Sequence, residues 1–185
     1  MALNSAAVRI GITGELYAAA VGTAAPTTSV VALNVLFLGM GYVSEDGVTE
    51  TYDDTVEDVV AWQNATVVRS STTASKATLS MTLIETKGKV LELYHKNSAV
   101  AVVSAGQWKI DVKAPGSDER AFVLDVIDGT KHIRFSIPRG EVSERGEIVY
   151  ANGEPIGYEI TLTCYPDSNN VVLTKFSDDA NWGYS

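Results

Sequence analysis

Lys76-Ala77-Thr78-Leu79-Ser80-Met81-Thr82-Leu83-Ile84-Glu85 alternates without a break between apolar and hydroxyl-bearing side chains through its middle. Successive side chains of a strand point to opposite faces. Ala77, Leu79, Met81 and Leu83 therefore share one face and Thr78, Ser80 and Thr82 the other. The stretch predicts an antiparallel sheet with one packed face and one smooth, polar, uncharged face. The pattern returns at 158–163, where Tyr158, Ile160 and Leu162 alternate with Glu159, Thr161 and Thr163.

The composition agrees with a β-rich body. Of 185 residues, 45% are apolar, enough to build a core. Glycine is plentiful and proline sparse. The longest apolar run, Val30–Met40, is interrupted by Asn34 and falls short of the ~20 residues a membrane helix needs, so no membrane partner is expected. The single cysteine, Cys164, sits on the apolar phase of its strand and reads as a small buried hydrophobe. One cysteine cannot form an internal disulfide, which fits synthesis in a reducing cytosol.

The formal charge of −9 is unevenly spread. Glu45, Asp46, Glu50, Asp53, Asp54, Glu57 and Asp58 follow one another with no base between them. Such density predicts a long acidic loop at about 43–62 rather than a packed strand. A connection of that length is usually functional or becomes ordered on a partner. Net acidity also argues against a protein that grips nucleic acid, since phosphate binding needs clustered Lys and Arg.

Along the chain, 7–17 reads as a first strand around Val8, Ile10 and Ile12, and Val30–Tyr42 as a second. Residues 66–72 and 76–85 read as two more, and 87–96 as the one helix, with Thr86 as its cap and Glu92 spaced to pair with Lys96. Beyond it lies a meander. Trp108, Ile110 and Val112 keep one inward phase, a turn follows at 114–118, and Phe122, Leu124 and Val126 face inward next. Asp128-Gly129 and Asn152-Gly153 are tight-hairpin signals, the first leading to Ile133, Phe135 and Ile137, the second joining 146–151 to 154–165. The predicted architecture is mainly β: an antiparallel β-sandwich or barrel over 1–166 with one flanking helix, then a short polar C-terminal extension, 167–185, with Trp182 and Tyr184 near its end.

Residues capable of chemistry are scarce. His95 and His132 are the only histidines, and neither has a second ligand at metal-binding spacing. There is no phosphate-binding glycine loop with its lysine and no nucleophile elbow. Glu45-Asp46-Gly47 lacks the alternating ligands and distal glutamate of a calcium loop. No catalytic, cofactor or metal role is therefore assigned. Trp62, beside the acidic stretch, and Trp182 are candidate interface anchors.

Three ordered segments carry a resemblance: Gly41-Tyr42-Val43-Ser44-Glu45-Asp46-Gly47-Val48-Thr49-Glu50-Thr51 with Ala61-Trp62-Gln63-Asn64; Ile84-Glu85-Thr86 with Val90-Leu91-Glu92-Leu93-Tyr94; and Ile137-Pro138-Arg139-Gly140-Glu141-Val142 with Tyr150, Asn152-Gly153-Glu154, Ile156-Gly157-Tyr158 and Thr161-Leu162-Thr163-Cys164-Tyr165-Pro166-Asp167. The set resembles the major tail tube proteins of long, flexible-tailed bacteriophages, especially those of actinobacteria. Many relatives add an immunoglobulin-like domain, for which these 185 residues are not expected to leave room.

The resemblance implies a structural virion protein, made in the host cytoplasm and resident in the phage tail. It implies hexameric rings stacked into a tube that surrounds the tape-measure protein, meets terminator and distal tail proteins, and later conducts genomic DNA without sequence-specific binding. It also implies that strands of neighbouring copies line the lumen and that a long loop reaches another copy. On this reading Thr78, Ser80, Thr82, Thr161 and Thr163 are candidate lumen-facing residues. Glu45, Asp46, Asp53, Asp54, Glu57, Asp58 and Trp62 are candidate inter-subunit contacts, the acids meeting bases such as Lys109, Lys113, Arg134 or Arg139 on another copy. The alternative is a β-sandwich module that binds carbohydrate or a host receptor through one exposed tryptophan.

Overall fold

A computed structural model describes residues 4–114 and 116–183. Pro115, of the expected turn, and Tyr184 lie outside them. The chain is mainly β, as the alternation predicted, with antiparallel pairing throughout and one α-helix among the described residues. The strands are β1 (Thr13–Ala20), β2 (Leu38–Gly39), β3 (Val43–Val60), β4 (Val67–Leu83), β5 (Val100–Ser104), β6 (Gln107–Ile110), β7 (Arg120–Asp128), β8 (Lys131–Arg145), β9 (Tyr158–Tyr165) and β10 (Thr174–Ser177). The helix, α1, spans Gly88–Tyr94.

The main sheet runs β2-β1-β7-β8-β9-β4-β3, with β10 also paired to β8; β5 and β6 form a separate hairpin. The alternating stretch decides the core. Ala77, Leu79, Met81 and Leu83 of β4 are buried with Ile160, Leu162 and Cys164 of β9, Phe135 and Ile137 of β8, Phe122 and Leu124 of β7, and Leu16 of β1. One sheet supplies both walls of this core, so it curls on itself, and α1 closes one end with Val90, Leu93 and Tyr94. Seven residues are too few for an autonomous helix, so packing holds α1 in place. Tyr94 stacks edge-on against Tyr158 at 5.7 Å and donates a hydrogen bond to the Gly146 carbonyl.

Asp128-Gly129 forms the predicted hairpin. Asp128 pairs with Lys131, and Gly129 takes the positive φ that the turn requires. Cys164 is buried, which raises its thiol pKa from 9.0 to about 11, with Glu50 adding to the effect of burial. The folded state keeps the thiol neutral, so Cys164 adds most to stability below its unfolded pKa, and that contribution fades as pH rises toward the folded value. Maleimide labelling of the native protein near neutral pH should therefore be at background and become complete in denaturant; rapid native labelling would place the thiol outside the core.

Several expectations are corrected. The acidic stretch is a strand. β3 pairs with β4 along nearly its whole length, and the two strands expected at 66–72 and 76–85 are one continuous β4. The first strand begins only at Thr13, because Val8, Ile10 and Ile12 run past the end of β7 and stay exposed. Most of 30–42 is not a strand: its contribution is β2, two residues long. The helix is shorter than 87–96, is preceded by Lys87 with no side-chain cap, and pairs Glu92 with Lys89, while Lys96 reaches Glu141. Trp108 and Val112 are exposed, because β6 pairs only with β5 and never joins the main sheet. Residues 146–151 form no strand; β8 itself runs to Arg145 and pairs with β9. The segment read as a C-terminal extension returns to the sheet as β10.

Candidate functional site

Beyond Tyr52 and Ala77 the β3–β4 hairpin leaves the body. Every residue from Asp53 to Lys76 is exposed except Ala61, which is half-buried. The acids do not break this arm because the ladder separates them. Asp53 lies opposite Lys76, Asp54 opposite Ser75, Glu57 opposite Ser71 and Asp58 opposite Ser70, so no acid faces an acid. The Ser70 hydroxyl donates to the Asp58 carboxylate. Alternation puts Asp53 and Glu57 on one face of β3 and Asp54 and Asp58 on the other.

The tip is closed by Ala61 N–H donating to the Thr66 carbonyl at 2.8 Å, with Asn64 and Ala65 at positive φ. Trp62 stands there 97% exposed, near the exposed Val59, Val60, Val67 and Val68. Sequence reasoning assigned Trp62 but missed these valines. Their signal was the β-forming Thr51, Tyr52, Thr55, Val56, Val59 and Val60 set among the acids.

The arm is anchored at its root. Lys175 of β10 donates to Glu50 at 2.7 Å and sits 4.9 Å from the Phe135 ring centroid. Tyr52 donates to the other Glu50 oxygen at 2.6 Å; that hydrogen bond, reinforced by partial burial, raises the phenol pKa to about 12. Glu45 and Asp46 belong elsewhere. They occupy an irregular stretch between the Val43 and Val48 pairs, where Gly47 has positive φ, and border an open gap of about 420 Å³ facing Gly11–Gly14. The predicted acidic set is thus divided: four residues lie on the arm and two at its base. None of the six makes an ion pair among the described residues.

The hydroxyl residues come together. Thr78 pairs with Thr163 and Ser80 with Thr161, whose hydroxyls lie 3.0 Å apart; Thr82 lies opposite Glu159. Thr163 donates to Ser143 at 2.8 Å. Thr49 and Thr51 of β3 extend the surface across Ser80 and Thr78. All five candidates therefore share the face of β4 and β9 opposite the core, with Thr163 buried and the others half-buried. The outer edge of β3 has no partner strand among the described residues.

Other groups are committed to structure. His95 ends α1 with its ring edge-on to Tyr94 at 5.1 Å, and burial, helped by Arg145, lowers its pKa. His132 donates its backbone N–H to Asp178. No helix among the described residues is long and apolar enough to cross a membrane.

An exposed arm, an open sheet edge and a hydroxyl-lined face are features of a part built to be joined to others. A family model described as phage tail tube protein matches residues 1–184. The chain belongs to that family. Its place is the virion tail, as a structural component. No curated protein matches it. Family membership gives the arm, the edge and the hydroxyl face a common context.

Proposed function

We propose that the chain assembles with copies of itself into hexameric rings that stack into the phage tail tube, and that the tube conducts DNA during ejection. The arm carries the reading. A monomer gains nothing from holding Trp62 and four valines in water at the end of a hairpin, whereas a neighbour gains a large aromatic anchor. The long, open β3 edge is a hazard in a monomer and is removed when edges pair around a closed ring.

The shared face of Thr78, Ser80, Thr82, Thr161 and Thr163 lines the lumen in this scheme. With a net charge of −9 and five uncharged hydroxyl side chains on that face, the bore repels phosphate weakly and gives DNA little to bind. Glu45, Asp46, Asp53, Asp54, Glu57 and Asp58 act between subunits. Tape-measure, terminator and distal tail proteins complete the tail, and the subunit is made in the host cytoplasm. No catalytic step and no cofactor enter. A carbohydrate-binding module would set a tryptophan over a polar cleft; Trp62 instead crowns a free hairpin.

Negative-stain microscopy of the concentrated protein is expected to show rings and hollow tubes. Persistent monomer, even with tail-initiation components present, would overturn the proposal.

A further inference from the structure

The sheet branches at β8. Residues 133–136 carry β10, and residues 139–145 carry β9, which leads on to β4 and β3. Among the described residues no ladder joins β10 to β3, but side chains do. Register sets Lys175 opposite Phe135, Glu50 opposite Leu79 and Tyr52 opposite Ala77. Phe135, Leu79 and Ala77 all belong to the core, and residues directly opposite one another share a face. Lys175, Glu50 and Tyr52 therefore meet on the core side, where the two branches come together. Lys175 Nζ donates to Glu50 at 2.7 Å, with the ring centroids of Phe135 and Tyr52 at 4.9 and 5.9 Å. Among the described residues this is the one side-chain hydrogen bond or ion pair from β3 to an element other than β4.

That contact sits at the foot of a long lever. β3 continues for eight residues past Tyr52, about 26 Å at ~3.3 Å per residue, so a tilt of about 10° at the root carries the tip about 4–5 Å sideways. On another flank, Ser75 and Lys76 border an open gap of about 530 Å³ toward Pro166, Asn170 and Val172, so the root has room to tilt there. An arm free to tilt loses that freedom when a neighbour binds it; an arm already held in one direction does not.

We propose that Lys175 is a positioning residue for the arm: by strutting β10 against Glu50 it sets the direction of the β3–β4 hairpin before any neighbour is met. The consequence for assembly rests on the self-assembly reading; the direction of the arm is a property of the single chain. The C-terminal segment, through β10, thereby controls a surface it does not itself contribute to.

The test uses the full chain with spin labels at Q63C on the tip and at A20C on the exposed end of β1, the buried Cys164 standing aside. In dilute monomer the distance distribution should be narrow with Lys175, broad in K175M, which keeps the stem over Phe135 and removes the cation, and narrow again in K175R. The thermal midpoint of K175M should be nearly unchanged, because a half-exposed pair contributes little to global stability. Without labels, K175M should raise the concentration needed for tubes by about tenfold, as follows if the competent direction is occupied about a tenth of the time. An equally narrow distribution in K175M, a K175R chain as broad as K175M, or tubes from K175M at the wild-type concentration would overturn the inference while leaving self-assembly intact. A wild type with a narrow distribution that never assembles would overturn the self-assembly reading and leave the strut standing.

Discussion

Replacing residues 53–76 by Asn-Gly, so that Tyr52 and Ala77 are joined by a two-residue turn, is expected to abolish tube formation while leaving a folded, soluble monomer. The body should survive because Ala77 is the first residue of β4 that belongs to the core, and no residue of 53–76 does. Asn-Gly suits a two-residue antiparallel turn, and Tyr52–Ala77 is already a cross-strand pair. The anchoring of the root by Lys175, Glu50 and Tyr52 is retained. Assembly should fail because the deletion removes Trp62, the tip valines and the four arm acids together. Anchors of this kind are typically worth about 2–4 kcal/mol each, so the concentration needed for assembly should rise on the order of a hundredfold or more. Scattering and microscopy at increasing concentration give the answer, with thermal melting as the control. Tubes at the wild-type concentration would remove the arm from the interface.

The fold was legible where alternation coincided with burial. Leu79, Met81, Ile160 and Leu162 were readable because each strand carrying them has one wet face and one dry face. The arm was illegible for a related reason. Neither of its faces is buried in the single chain, so apolar and acidic residues mix on both, and charge density looked like a long loop. The decisive fact, that each acid faces a hydroxyl or a lysine on the other strand, depends on a register the sequence does not display. Trp108 misled in the opposite way. Its phase with Ile110 was correct, but phase identifies a shared face and does not say what covers it. The hydroxyl residues of the candidate face were readable from alternation alone, and the structure brings all five onto one surface.

Residues 30–37 of the expected strand Val30–Tyr42 form no strand, and a side chain holds this part of the chain. Arg134 is 6% exposed and Asp125 8%, on the outer face of the β7–β8 pair. Arg134 Nε and Nη2 donate to the two Asp125 oxygens at 2.6 and 2.8 Å, and Nη1 donates to the carbonyls of Val31 at 2.6 Å and Thr28 at 3.3 Å. One guanidinium thus fastens the covering segment, whose Phe37 packs with Ala19, Ala121 and Val123. Arg134→Ala is expected to destabilise the monomer by about 3–5 kcal/mol, because Asp125 is left buried and unpaired. Total stabilities run at about 5–15 kcal/mol, so this is a large share of the whole. Arg139→Ala is the matched control. Arg139 also makes a bidentate pair, with Glu119, but that pair is partly solvent-exposed, and its loss should cost under about 1 kcal/mol. Denaturant unfolding of the two variants should separate them by a clear difference in midpoint. Combining Arg134→Met with Asp125→Leu should recover much of the loss, since removing both charges takes away the desolvation penalty along with the attraction. A small effect from Arg134→Ala, or no recovery in the double variant, would mean that the apolar contacts of Phe37, rather than the ion pair, hold the segment down.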